Sequence, residues 1–214
     1  MLATVAGPVN HESRTRNAAS WTDQNMQKLR RHNDLSNRSI DRINQEPLTP
    51  DHSMPNAEQE RLIARYAEGP DRLEAALDLV PAEALKWSPG PGKWSVHQVI
   101  VHCADSETNS AMRVRYLLGE ESPTIIGYDQ DRWVEALDYD AHPIAPALAT
   151  IRAVRANTVP LLRRLTPAQW ARTGTHTESG AYGVEEWLEI YAEHLHQHER
   201  QILRNLEAWQ QHKG

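Results

Sequence analysis

Three histidines stand within five residues near the C-terminal end, in the run His194-Leu195-His196-Gln197-His198. On a helix, at ~100° per residue, His194 and His198 lie only ~40° apart and share a face. Val184, Trp187, Tyr191, Leu195, Ile202 and Leu206 recur on that face, which is therefore expected to be buried. His196 falls on the opposite side with Glu185, Glu189 and Arg200, and reads as a solvated surface histidine. Two imidazoles one turn apart can grip a single ion, as in helical metalloprotease motifs. Those motifs need a Glu directly after the first His; Leu195 stands there, so protease chemistry of that kind is disfavoured. The plain alternative is a pair of core histidines hydrogen-bonded to polar neighbours.

A third ligand must come from elsewhere. His102 borders an apolar face made by Val96, Val99, Ile100, Cys103 and Val114, on a polar stripe with Gln98, Ser106, Asn109 and Arg113. Such a stripe inside a bundle is unfavourable unless something pairs it. A metal with its surrounding hydrogen bonds is one such partner; a boundary histidine with half-exposed nitrogens is the other reading. Asp105, three residues on, is a candidate to accept an imidazole N–H or to bind water on a metal, against the reading of an exposed helix carboxylate. Cys103 faces the apolar side and reads as a small core residue.

These residues need helices to position them. Residues 56–79 place Leu62, Ile63, Tyr66, Leu73, Ala76, Leu77 and Leu79 near one face, with Gly69-Pro70 expected to bend the helix. Ser95 is the expected N-cap of a second helix over about 96–118. A short helix is expected at 129–137 and a third long one over about 143–165, kinked or broken at Pro160. Its Arg152, Arg155, Arg163 and Arg164 read as a solvated side. A turn at Pro167–Trp170 and the loop around His176, Glu178 and Gly180 lead to a last helix over about 183–209. No alternating strand run stands out. Four long helices with modest connections point to an all-α four-helix bundle, with Trp87, Trp94, Trp170, Trp187 and Trp209 as large core fillers.

The bulk numbers exclude several classes. A net charge of −6 gives no general attraction for nucleic acid. A single cysteine excludes an internal disulfide and a cysteine zinc finger, and suits a reducing compartment. No stretch approaches the ~18 apolar residues of a membrane span and no secretory signal is legible, so a cytoplasmic protein is expected. Residues 1–53 are polar, aperiodic and end in breakers, and read as a disordered extension with at most a transient helix near 21–32. Met54 is a candidate natural start for a bundle domain over 54–210.

From about residue 56 to 206 the chain resembles the DinB-like superfamily of small four-helix bundles, commonly named as metal-dependent hydrolases. The resemblance rests on KWSVHQVIVHCADSE at 93–107, YDQDRW at 128–133 and THTESGAYGVEEWLEIYAEHLHQHERQI at 175–202. It implies one divalent ion held by three ligands: His102, eight residues after Trp94, and the pair His194 and His198. It also draws attention to the loop residues His176 and Glu178, and to Asp129 and Trp133, the last read as packing. Members form homodimers in some cases.

Three protein ligands leave an open position, which distinguishes a catalytic from a closed site. Water there becomes a nucleophile near neutral pH. Imidazole suits zinc, nickel or iron, and the sequence does not choose among them. The expected activity is hydrolysis of a small molecule, with Asp105 or Glu178 handling protons and His176 lining the substrate side. The resemblance also implies an alternative, transfer to a low-molecular-weight thiol activated on the metal, with Arg113 or Arg115 holding a carboxylate of that thiol. A non-catalytic metal staple between helices is the third reading.

Overall fold

Helix starts follow the local chemistry. Asn56 accepts from the N–H of Gln59, whose side chain returns a bond to the N–H of Asn56, closing a capping box. Ser95 and Gln98 close the same box one helix later, as expected of Ser95.

The computed structural model describes residues 55–214. The expectations for residues 1–53 and for Met54 lie outside the described residues. In chain order the elements are α1 (Ala57–Leu77), a 3-10 turn (Ala82–Ala84), α2 (Val96–Gly119), β1 (Thr124–Ile125), α3 (Gln130–Ala136), α4 (Ile144–Leu162), α5 (Pro167–Trp170), β2 (Thr173–His176), β3 (Gly180–Gly183) and α6 (Val184–Lys213). The four long helices, α1, α2, α4 and α6, form the bundle. No described helix is long and apolar enough to cross a membrane.

The topology is not a simple up-and-down one. α1 packs on α6 and α4, and α2 packs on α4 and α6, so the ring runs α1–α6–α2–α4. Successive helices α1 and α2 therefore sit across a diagonal. That exchange brings His102 of α2 directly against the histidines of α6.

Two apolar clusters make up most of the core, beside a small third one of Val101, Val134 and Tyr139. One gathers Ile63, Tyr66, Leu117, Trp170 and Trp187; the other gathers Leu73, Ile100, Cys103, Ile151 and Ile202. Each large apolar side chain buried this way contributes about 1.5–3 kcal/mol. Along α2 and α4 a polar layer separates the two clusters, with Glu107 and Arg155 at 0% and 1% exposure. Arg155 thus departs from its expected place on a solvated side. The period explains it: Ile151, Arg155, Thr158 and Leu162 share one buried face of α4. Arg152 and Arg163 do face solvent, paired with Asp71 and Glu74 and with Glu60.

Other expectations also shift. A three-stranded sheet is present, with β2 and β3 antiparallel and β1 parallel to β2. Its strands of two to four residues are too short to show alternation. Gly180 adopts φ 84° at the end of the turn between β2 and β3, the left-handed region that favours glycine. Pro70 sits inside a continuous α1, and Pro160 within the last turn of α4, three residues before Arg163 closes it. Trp187 and Trp170 fill the core as expected, whereas Trp94 is half-buried and packs on His102.

Candidate metal centre

His102 comes from the middle of α2, and His194 and His198 from successive turns of α6. One ring nitrogen of each lies within 4.8 Å of the others. The rings stand edge-on, with centroids 4.7 Å apart for His194–His198, 4.9 Å for His102–His198 and 5.7 Å for His102–His194.

The outer nitrogens are already used. His194 Nδ1 lies 3.1 Å from Glu107 Oε1, and His198 Nδ1 lies 2.9 Å from Gln201 Oε1. A carboxylate and an amide oxygen only accept, so both Nδ1 atoms donate, which in a neutral ring leaves Nε2 its lone pair. That is the arrangement by which a second hydrogen bond orients a metal-ligating histidine. His194 Nε2 meets Ser106 Oγ at 3.3 Å. His102 Nδ1 is buried without a hydrogen-bond partner, packed beside the indole of Trp94 at 4.7 Å.

Electrostatics favour neutral imidazoles. Burial, followed by the charges of His198 and His194, pushes His102 down to about 2. Burial, with His194 next, pushes His198 down to about 3. Neutral imidazole is the form a cation needs. The donor set, the unpartnered His102 nitrogen and the fixed tautomers therefore fit a divalent ion.

Glu107 and Arg155 were not among the expected site residues. Burial would raise the Glu107 carboxyl, but Arg155 and then His194 more than offset it and hold it well below the usual carboxylate range. Arg155 grips Glu107 through Nε and Nη2 at 2.9 and 2.6 Å, and Nη2 also donates to the Tyr191 carbonyl at 2.9 Å. The signal was legible: Cys103, Glu107, Ser110 and Val114 follow the buried period of α2. A charged residue at such a position needs a partner.

Asp105 takes a different bond from the one expected. It is half-buried and accepts from the Tyr139 hydroxyl at 2.6 Å, while Glu107 accepts the imidazole N–H. His176 serves its own turn, its Nδ1 accepting from the N–H groups of Glu178 and Ser179 at 3.2 and 3.4 Å. The Glu178 carboxylate lies over Gly127, where an added Cβ would meet it at 2.3 Å. Neither residue hydrogen-bonds or stacks on the three histidines. Arg113 comes closer: its guanidinium reaches Tyr191 Oη at 3.3 Å, and the Tyr191 ring stands 5.6 Å from that of His194. Arg113 also donates to the Ile126 carbonyl at 2.8 Å, while Arg115 turns back to its own helix at Ala111. Asp129 caps α3, and Trp133 packs on Tyr128 at 4.2 Å.

His196 corrects the sequence expectation. It is 3% exposed, with Nε2 3.1 Å from the Arg65 carbonyl. α1 covers His196 on that side of α6, while Glu185, Glu189 and Arg200 stay exposed as expected.

A four-helix bundle that gathers three histidines from its second and last long helices defines a recognisable class. The chain matches the DinB superfamily over residues 65–202, a stretch holding all three histidines, and it belongs to that superfamily. A relative from Oceanobacillus iheyensis is 40% identical over 116 residues, 54% of this chain and 67% of that protein. YfiT from Bacillus subtilis is 31% identical over 150 residues, 70% and 84% of the two chains. Both carry provisional names as metal-dependent hydrolases. The solved YfiT structure superposes with a TM-score of 0.66 at 29% identity, covering 75% of this chain and 93% of that one. It is described as "a probable metal-dependent hydrolase with an unusual four-helix bundle topology".

Proposed function

We propose that His102, His194 and His198 hold one divalent metal ion and that the protein hydrolyses a small-molecule substrate there. The observation that carries this reading is the convergence of one ring nitrogen from each of three imidazoles within 4.8 Å, two of the rings oriented by Glu107 and Gln201. The names given to the Oceanobacillus and Bacillus relatives support it. When bound, zinc, nickel or iron would supply Lewis acidity and an activated water.

The chain's own residues do the rest. Glu107 and Gln201 fix the ligand tautomers, and Trp94 covers His102 against solvent. Ser106 Oγ, next to His194 Nε2, is placed to orient a water or a substrate oxygen. Asp105, held by Tyr139, is the nearer of the two expected carboxylates in sequence and takes the proton-handling role in preference to Glu178.

One observation favours a second reading, transfer to a low-molecular-weight thiol. Arg113 pairs with no carboxylate among the described residues, and its Nε is buried without a partner. An anionic group on a thiol would meet that charge.

Elemental analysis tests the site. Wild-type protein is expected to carry close to one equivalent of metal, and His102→Ala and His194→Ala almost none. Equal metal in all three would refute it. Turnover of an activated ester without added thiol supports hydrolysis; turnover of a haloaromatic only with thiol selects the transferase.

A further inference from the structure

The step Gly69-Pro70 lies buried in the middle of α1, where both residue types ordinarily weaken a helix. Both act on a single atom of another helix. Pro70 has no N–H, so the carbonyl of Tyr66, four residues earlier, lacks its helical donor. Arg155 Nη1 donates to that carbonyl instead. Gly69 has no side chain, and a Cβ there would stand 2.5 Å from the same Nη1. The Tyr66 ring closes the pocket, 4.1 Å from the guanidinium carbon.

From this socket the guanidinium is aimed at Glu107, whose Oε1 receives both Arg155 Nη2 at 2.6 Å and His194 Nδ1 at 3.1 Å. Rigid placement of a guanidinium fork fixes the plane of the carboxylate it grips. We infer that Gly69-Pro70 is a socket for Arg155, and that through Arg155 and Glu107 it sets the tautomer and orientation of His194. These are positioning residues: they act on His194 from α1, across the bundle, without touching a reacting atom. The consequence for metal affinity rests on the metal-centre reading above; the effect on His194 does not.

The test uses the full chain with histidine-labelled NMR and zinc competition against a chromogenic chelator. In metal-free wild type, His194 is expected as one tautomer, protonated at Nδ1. Gly69→Ala, which intrudes on Nη1, is expected to give a mixture of tautomers and to weaken zinc binding by about 10–100-fold. Pro70→Ala, which restores a competing N–H donor but no bulk, is expected to give a smaller loss. Arg155→Lys alone, which keeps the charge but has no planar fork to fix the Glu107 carboxylate, is expected to give a mixture of tautomers like that of Gly69→Ala.

A wild-type tautomer pattern in folded Gly69→Ala overturns the proposal whether or not zinc binds. The added Cβ would also stand 3.1 Å from Leu195 Cβ, so a general shift of α6 is the competing cause. In that case Arg155→Lys, which adds nothing against α6, keeps the single wild-type tautomer, and that result overturns the proposal as well. Failure of wild type to take up zinc would sink the metal reading alone, since the tautomer measurement still decides the positioning claim.

Discussion

Replacing Arg155 with Met is expected to lower the unfolding free energy by about 3–5 kcal/mol, the usual cost of breaking a buried ion pair from one side. Glu107 would stay at 0% exposure with its two guanidinium bonds gone, and the Tyr66 and Tyr191 carbonyls would lose donors. The protein supplies its own comparison. Arg163 and Glu60 form a pair exposed at 50% and 44%, and Arg163→Met is expected to cost under about 1 kcal/mol. Urea denaturation measures both, and a domain of this size shifts its melting temperature by about 2–4 °C per kcal/mol. The double variant Arg155→Met with Glu107→Leu removes both charges but leaves the Tyr66 carbonyl and His194 Nδ1 without partners, so it is expected to recover only part of the loss. It would still bind metal weakly, because His194 Nδ1 has lost its acceptor. If Arg155→Met costs no more than Arg163→Met, the Arg155–Glu107 pair does not behave as a buried ion pair.

Acidification gives a second outcome. His102 at about 2 and His198 at about 3 lie below the ~6.5 of an unfolded histidine, so the unfolded chain binds their protons first. Stability of the metal-free protein is therefore complete above about pH 6.5 and falls as pH drops toward about 3. A metal-free melting temperature that stays level from about pH 7 to about pH 5 would contradict this. His196→Ala is expected to cost about 1 kcal/mol or more, since it removes a side chain only 3% exposed together with its hydrogen bond to the Arg65 carbonyl. A surface histidine would cost next to nothing, and chemical denaturation separates the two.

Local rules were enough for much of this molecule. Caps at Ser95, periodicity on α2, α4 and α6, and the His194–His198 spacing were all readable, because each depends on neighbours along one helix. Picking out His102 as the third candidate ligand needed the family resemblance, since nothing on α2 alone says which helix it will face. The sheet stayed hidden because its strands are too short to carry a pattern.

The amino-acid sequence by itself determined the long helices, the apolar part of their buried faces and the paired histidines of α6. Only the tertiary structure decided that α1 and α2 sit on a diagonal, that His196 is covered, and that Arg155 reaches Glu107 inside the core. The physical reason is one of range. Propensity and periodicity act within a few residues of the chain, whereas the charge partner of Glu107 lies 48 residues away and His194 lies 87 away. Those pairings exist only once four helices have closed around them.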